Sequence, residues 1–423
     1  KTPNGQMKVR SIMSVRTLLI VTMSLILISA IFVGTVNALG VTSAATGKVT
    51  LDNVRAYAPS VEDSGRSFAV DGGDLFVGVP GNWSQVKAPH GVIVNAVTID
   101  PQRKDVVYIG AANELAIYRS DDTGSNWMRI PLTSDYIGGV TAIAVDSTQR
   151  LVYVGTDTAG LFRLRDVGSS MVVSGQLLLD EPVIDVVADS AGTGLVLART
   201  GWNLYRAENH GMRWVSVSNL GSVPTAVAIA QTEPATIYVG TTDRGLLRSV
   251  DGLTWTTANE GLGATAGTRL RIDALTVDPL QPEVLYVASS YLFGSTTLHQ
   301  TPIGVSMSVD GAVSWTLMSE ASEVAVAELL PVSGETGSAL AVMANSRTPV
   351  AMGNAEFITM ANAEAAATAT VDSPASPLAS SLTAWIVAGL ASLVLLVAVG
   401  IDLAKRQRSR PVTLSPNLVE QTQ

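Results

Sequence analysis

The chain carries 36 aspartates and glutamates, but only three histidines and no cysteine, among its 423 residues. That inventory decides which chemistries are open. Without cysteine there is no thiol nucleophile, thiolate metal ligand, disulfide or lipidated N-terminal cysteine. His90, His210 and His299 lie far apart, with no metal-ligand spacing. Carboxylates remain, and a pair of them could serve in glycoside hydrolysis. No pair has a sequence context that singles it out. The residues therefore point to no catalytic group, no metal site and no cofactor.

Charge narrows the partners. The formal net charge of the chain is −9. Residues 39–357 hold 19 basic and 32 acidic side chains, a balance of −13. An acidic middle domain argues against nucleic acid as a partner, because phosphate binding needs a positive surface.

The elements that must position any site are short strands. Anchored on their hydrophobic cores, strand-like runs recur at Phe68, Tyr108, Tyr153, Val196, Tyr238, Tyr286 and Leu340. Their spacings are 40, 45, 43, 42, 48 and 54 residues. Before most cores lies another such run, as in residues 96–100 (AVTID) and 225–230 (TAVAIA). After each comes a third, as in LAIYRS and GLFRLR, and a fourth often opens on tryptophan: Trp83, Trp127, Trp214, Trp255 and Trp315. Alternation of apolar and polar residues favours strands over helices. Seven units of four short strands at this period predict an all-β, seven-bladed β-propeller over residues 50–361.

One turn is distinctive. Ser120, Asp122, Gly124 and Trp127 fit the pattern S-x-D-x-G-x-x-W. Serine and aspartate side chains can bond to turn backbone, glycine takes positive φ, and tryptophan staples the hairpin to the sheet. Ser249, Asp251 and Trp255 repeat it one residue short, and Ser308, Asp310 and Trp315 repeat it with Ala312 in the glycine position. Asn209, Gly211 and Trp214 form a further relic. Over about 310 residues the chain resembles the Asp-box (BNR-like) β-propellers, which include sialidases, sortilin-type receptors, xyloglucanases and the photosystem II stability and assembly factor. Size and single-propeller organisation match the assembly-factor type best; the sialidase type is more distant. Arg129-Ile130-Pro131 mimics a sialidase signature, but it follows the best box where that family places it ahead of the first.

Flanking segments supply an address. Residues 1–16 are basic and 17–38 almost wholly apolar, long enough for a transmembrane helix. Val36-Asn37-Ala38 also fits a signal-peptide cleavage site, so both readings stand. Residues 362–381 are an Ala/Ser/Thr/Pro-rich linker, 382–401 a second apolar span, and 402–423 a tail that begins with a basic cluster. The positive-inside rule puts that tail in the cytoplasm and the propeller on the extracytoplasmic side of the cytoplasmic membrane.

These readings imply a non-catalytic interaction or assembly subunit of a membrane complex, with protein subunits as partners and the bilayer engaged through the apolar helices. The alternative is a cell-surface glycan-binding protein or sialidase-like glycoside hydrolase. A convergent Arg/Glu/Asp cluster in the central pocket would favour the alternative, and an exposed apolar patch on long loops the interaction module. Two stretches read as long loops: residues 259–268 and 291–303. Tyr291, Leu292, Phe293 and His299 are the candidate partner-binding residues. The strand order places both stretches on the face of the blade-to-blade connections, at which the chain enters blade one and is expected to leave blade seven.

Overall fold

The computed structural model describes residues 50–353, apart from breaks at 63–64, 169, 191, 264–266, 295–296, 321–323 and 333–336. Within them lie 27 strands in seven antiparallel sheets, arranged as a seven-bladed propeller. Blade one holds β1 (Val54–Ala58), β2 (Ser67–Asp71), β3 (Asp74–Val79) and β4 (Asn82–Val86). Blade two holds β5 (Val94–Ile99), β6 (Val107–Ala111), β7 (Ala116–Ser120) and β8 (Met128–Pro131). Blade three holds β9 (Val140–Asp146), β10 (Leu151–Thr156), β11 (Leu161–Asp166) and β12 (Met171–Leu177). Blade four holds β13 (Val183–Ala188), β14 (Val196–Thr200), β15 (Leu204–Glu208) and β16 (Arg213–Ser216). Blade five holds β17 (Pro224–Ala230), β18 (Thr236–Thr241), β19 (Leu246–Ser249) and β20 (Thr256–Thr257). Blade six holds β21 (Arg269–Val277), β22 (Leu285–Phe293), β23 (His299–Ser308) and β24 (Thr316–Glu320). Blade seven has three described strands: β25 (Val326–Pro331), β26 (Ser338–Met343) and β27 (Pro349–Gly353).

All seven anchor residues read from the sequence fall in second strands, and Phe68, Tyr108, Tyr153, Tyr238 and Tyr286 are fully buried. These strands sit mid-blade, so both faces pack on neighbouring blades. Long apolar runs there follow from double-sided burial, and each large side chain contributes roughly 1.5–3 kcal/mol.

First strands line the central channel and neighbour one another in order around the ring. Each carries a bulge at the same place, at Arg55, Asn95, Thr141, Ile184, Thr225, Asp273 and Ala327. In three blades the bulged side chain latches the next blade. Asn95 Nδ2 donates to the Val140 carbonyl at 2.9 Å, Thr141 Oγ1 to Val183 at 2.6 Å and Thr225 Oγ1 to Ile272 at 2.6 Å. Beside these latches the second strands carry glycine. A Cβ at Gly110, Gly155 or Gly240 would lie 2.3–2.7 Å from Val140, Val183 or Ile272 of the next blade.

The ring closes by packing and side-chain bonds between blades one and seven. Arg347 Nε donates to the Val54 carbonyl at 2.8 Å, and Tyr57 Oη to the Pro331 carbonyl at 3.3 Å. Leu51, Val54 and Trp83 share a core cluster with Leu330, Leu340 and Val342.

Strand direction separates two faces. Blade-to-blade connections and turns between second and third strands share the connection face. Turns between first and second strands, and between third and fourth, share the turn face. Hydrogen bonds agree: Ala112 N donates to Ile93 O on the first face, and Thr123 N to Asp105 O on the second. The expected exit of blade seven on the connection face falls on residues after 353, which lie outside the described residues. No helix among the described residues is long and apolar enough to cross a membrane. The apolar runs 17–38 and 382–401 lie outside the described residues.

Candidate functional site: the channel mouth and connection face

The Ser-x-Asp turns are closed structures. In blade two Ser120 Oγ donates to Asp122 Oδ1 at 2.8 Å and accepts from Gly124 N at 2.8 Å. Asp122 also accepts from Asn126 N at 2.8 Å and Asn126 Nδ2 at 2.6 Å. Gly124 sits at φ 88° and Trp127 Nε1 donates to the Lys87 carbonyl. Blade five builds the same knot from Ser249, Asp251 and Gly252, and Trp255 packs against the core there. Blade six builds it from Ser308 and Asp310 with Ala312 at φ 64°, and the indole of Trp315 donates to Ala258 O at 2.9 Å. These hydrogen bonds hold the carboxyls of Asp122, Asp251 and Asp310 down at about 2. Their acceptor capacity is consumed by the turn itself. They offer nothing to a ligand.

Arg129 stands in β8, exposed, paired to Glu114 at 2.6 Å. That is an outer-strand ion pair, remote from the channel. His210 approaches Asp146 at 3.6 Å between blades three and four, also away from the channel. No group of three or more potential metal ligands converges among the described residues.

The channel mouth is different. The channel cavity, about 530 Å³, runs from Arg55, Asp185, Arg199, Asp273 and Glu328 at the level of the bulges to Pro59, Pro101 and Pro279 at the turn face. Arg55 and Asp273 are bulge residues, Asp185 and Glu328 directly follow the bulges of β13 and β25, and Arg199 pairs with Asp185 from β14. Asp273 Oδ1 is held by Arg271 Nε at 2.8 Å and Gln300 Nε2 at 2.9 Å, and its Oδ2 accepts from Ser290. Arg347 approaches Glu328 at 3.4 Å. Asp185 and Arg199 are direct cross-strand partners, yet no side-chain hydrogen bond joins them, and Arg199 Nε is buried without a partner. Burial pushes the Glu328 carboxyl up to about 7; Arg347 opposes the rise and the Asp185 charge adds to it. Burial likewise raises Asp185 and Asp273 and lowers Arg199.

Around the mouth, the connection face exposes Ile93, Tyr136, Ile137, Leu178, Trp202 and Leu298. Ile137 keeps 95% of its accessible surface and Trp202 73%. The turn face exposes aliphatic side chains such as Val250, Leu253 and Val313, but among the described residues the exposed aromatics Tyr136, Trp202 and Phe293 are all on the connection face.

The stretch 291–303, expected as a loop, is largely the far end of a long hairpin in which Phe293 pairs with His299. Leu292 turns inward and is buried, while Tyr291 Oη donates to the Gly263 carbonyl. Phe293 stays exposed and stacks on His299, with ring centroids 5.5 Å apart. Of the four candidates, Phe293 and His299 therefore present a joint surface, whereas Leu292 belongs to the core. Sequence reading missed the five charged channel residues and the exposed pair Tyr136 and Trp202. Aligning the repeats on their own register would have flagged Asp185, Arg199 and Glu328.

No known family model and no curated protein sequence matches the chain. Solved structures do resemble it. The GH74 xyloglucanase from Xanthomonas campestris superposes with TM-score 0.53 at 19% identity, over 72% of this chain and 52% of that one. Another GH74 enzyme, from Niastella koreensis, gives 0.53 at 16%, over 71% and 52%. YCF48 bound to D1 peptide gives 0.52 at 13%, over 73% and 93%. This chain thus spans about half the length of the GH74 enzymes it resembles. At these identities the likeness is one of fold: a seven-bladed propeller, shared by hydrolases and by a peptide-bound protein alike.

Proposed function

We propose that the protein is a non-catalytic interaction module, an assembly or stabilising subunit of a membrane complex, whose protein partner docks on the connection face. The observation that carries this is the placement of the three exposed aromatics among the described residues, Tyr136, Trp202 and Phe293, on that face with Ile137 beside Tyr136. Tryptophan and tyrosine are the residues that dominate protein interfaces, because they bury large area at small entropic cost. The peptide-bound fold relative, comparable in length, supports the same reading. On this proposal the apolar runs 17–38 and 382–401 tether the propeller on the extracytoplasmic side, since basic residues flank both.

Photocrosslinking in intact cells tests it. A photoreactive residue replacing Phe293 should yield partner adducts, whereas one replacing Thr123 on the turn face should yield few. Adducts from position 123 and none from 293 would refute the docking face. Protease added to spheroplasts should degrade the propeller; a protected propeller would refute the tethering.

The charged channel mouth gives the alternative reading, glycan recognition, its own specific support, and it leads further.

A further inference from the structure

The propeller contains its own control experiment. At the first register position after the bulge, blades two, three and five pair Ala96 with Gly110, Ala142 with Gly155 and Ala226 with Gly240. Blade six pairs Ala274 with Ala288. In blade four the same two positions hold Asp185 and Arg199, and in blade seven the first of them holds Glu328. Alanine fills the first position in five blades, since blade one places Ala56 there opposite Val70. Charges placed there are costly, because ionised groups lose solvation and gain no full set of partners. The fold does not ask for them, so their role lies in the channel.

We propose that the connection-side mouth of the channel is a binding socket for a neutral saccharide, gripped by Asp185, Arg199 and Glu328. Charge balance selects that ligand class. A cation would meet Arg55 and Arg199, and an anion would meet Asp185, Asp273 and Glu328. A sugar hydroxyl is both donor and acceptor, so vicinal hydroxyls can give to the carboxylates and receive from the guanidinium. Arg199 lines the cavity, and its guanidinium supplies donors only, the complement of the carboxylates. Trp202 lies three residues beyond Arg199, in the turn that β14 enters, with its indole exposed for the apolar face of a pyranose. The cavity, about 530 Å³, falls within the ~300–1,000 Å³ usual for small-ligand sites. This inference does not rest on a protein partner.

Titration calorimetry on the full chain, solubilised without sugar-headed detergent, tests the socket. Probes are cellotetraose, maltotetraose and chitotetraose, with trilysine and gluconate as charged controls. At least one neutral tetrasaccharide should bind. The double variant Asp185→Ala/Arg199→Ala, which restores the pair found in blade six, should weaken that binding tenfold or more. Its unfolding temperature should equal or exceed that of the parent, and crosslinking from position 293 should be unchanged. The proposal is overturned if no neutral sugar binds, if only the charged controls bind, or if the double variant binds equally well. It is overturned too if that variant unfolds at a lower temperature, which would make the charges structural.

Discussion

The two faces of the propeller use carboxylates in opposite ways. On the turn face Asp122, Asp251 and Asp310 each serve the chain's own backbone, and their acidity is strengthened to about 2. At the channel mouth Asp185 and Glu328 stand where the repeat needs only alanine, and burial weakens their acidity. A carboxylate saturated by local donors stabilises a turn. One left short of donors in a confined space costs stability and stays available to a ligand. The repeated turn is therefore architecture, and the broken repeat marks function.

The largest expected effect breaks the architectural side. Gly124→Val places a branched side chain at φ 88°, where even a Cβ would lie 2.8 Å from Val86. Destabilisation of roughly 1–3 kcal/mol should follow, read by thermal unfolding, with saccharide binding by the folded fraction unchanged. An unaltered unfolding temperature would show that the turn tolerates the strain.

Glu328→Gln should act in the other direction. The folded state holds the Glu328 proton up to about 7 against an ordinary value of 4.5. A raised carboxyl favours the folded state below pH 4.5, and that advantage is lost as pH rises through about 7. The parent should thus lose stability across this window and the glutamine variant should not. Since a third of the side chain is solvent-accessible (33%), the difference above neutrality should be on the order of 1 kcal/mol. Denaturant titrations at pH 4 and pH 8 would check it; a parent that is no less stable at pH 8 than at pH 4, relative to the variant, would dissolve the contrast between faces.

The smallest effect concerns acid. Asp122, lowered from 3.8 to about 2, contributes stability that is present above 3.8 and fades as pH falls towards 2. Asp122→Asn should flatten that acid limb of the unfolding profile. A limb of unchanged steepness would mean that the turn hydrogen bonds are not what ionisation protects.

The sequence by itself determined the repeating strand pattern and the number of blades. Second strands are buried on both sides, so Tyr108, Tyr153, Tyr238 and Tyr286 imprint a period that no other structure would need. The turns were equally legible, because Ser120, Asp122, Gly124 and Asn126 bond one another within seven residues. Only the tertiary structure decided the rest. Arg55, Asp185, Arg199, Asp273 and Glu328 are spread over more than half the chain and meet only because seven first strands share one axis. Leu292 and Phe293 are neighbours in sequence, yet β-pleat sends one to the core and the other to solvent. Local chemistry writes itself into short stretches; convergence around an axis depends on contacts made at long range.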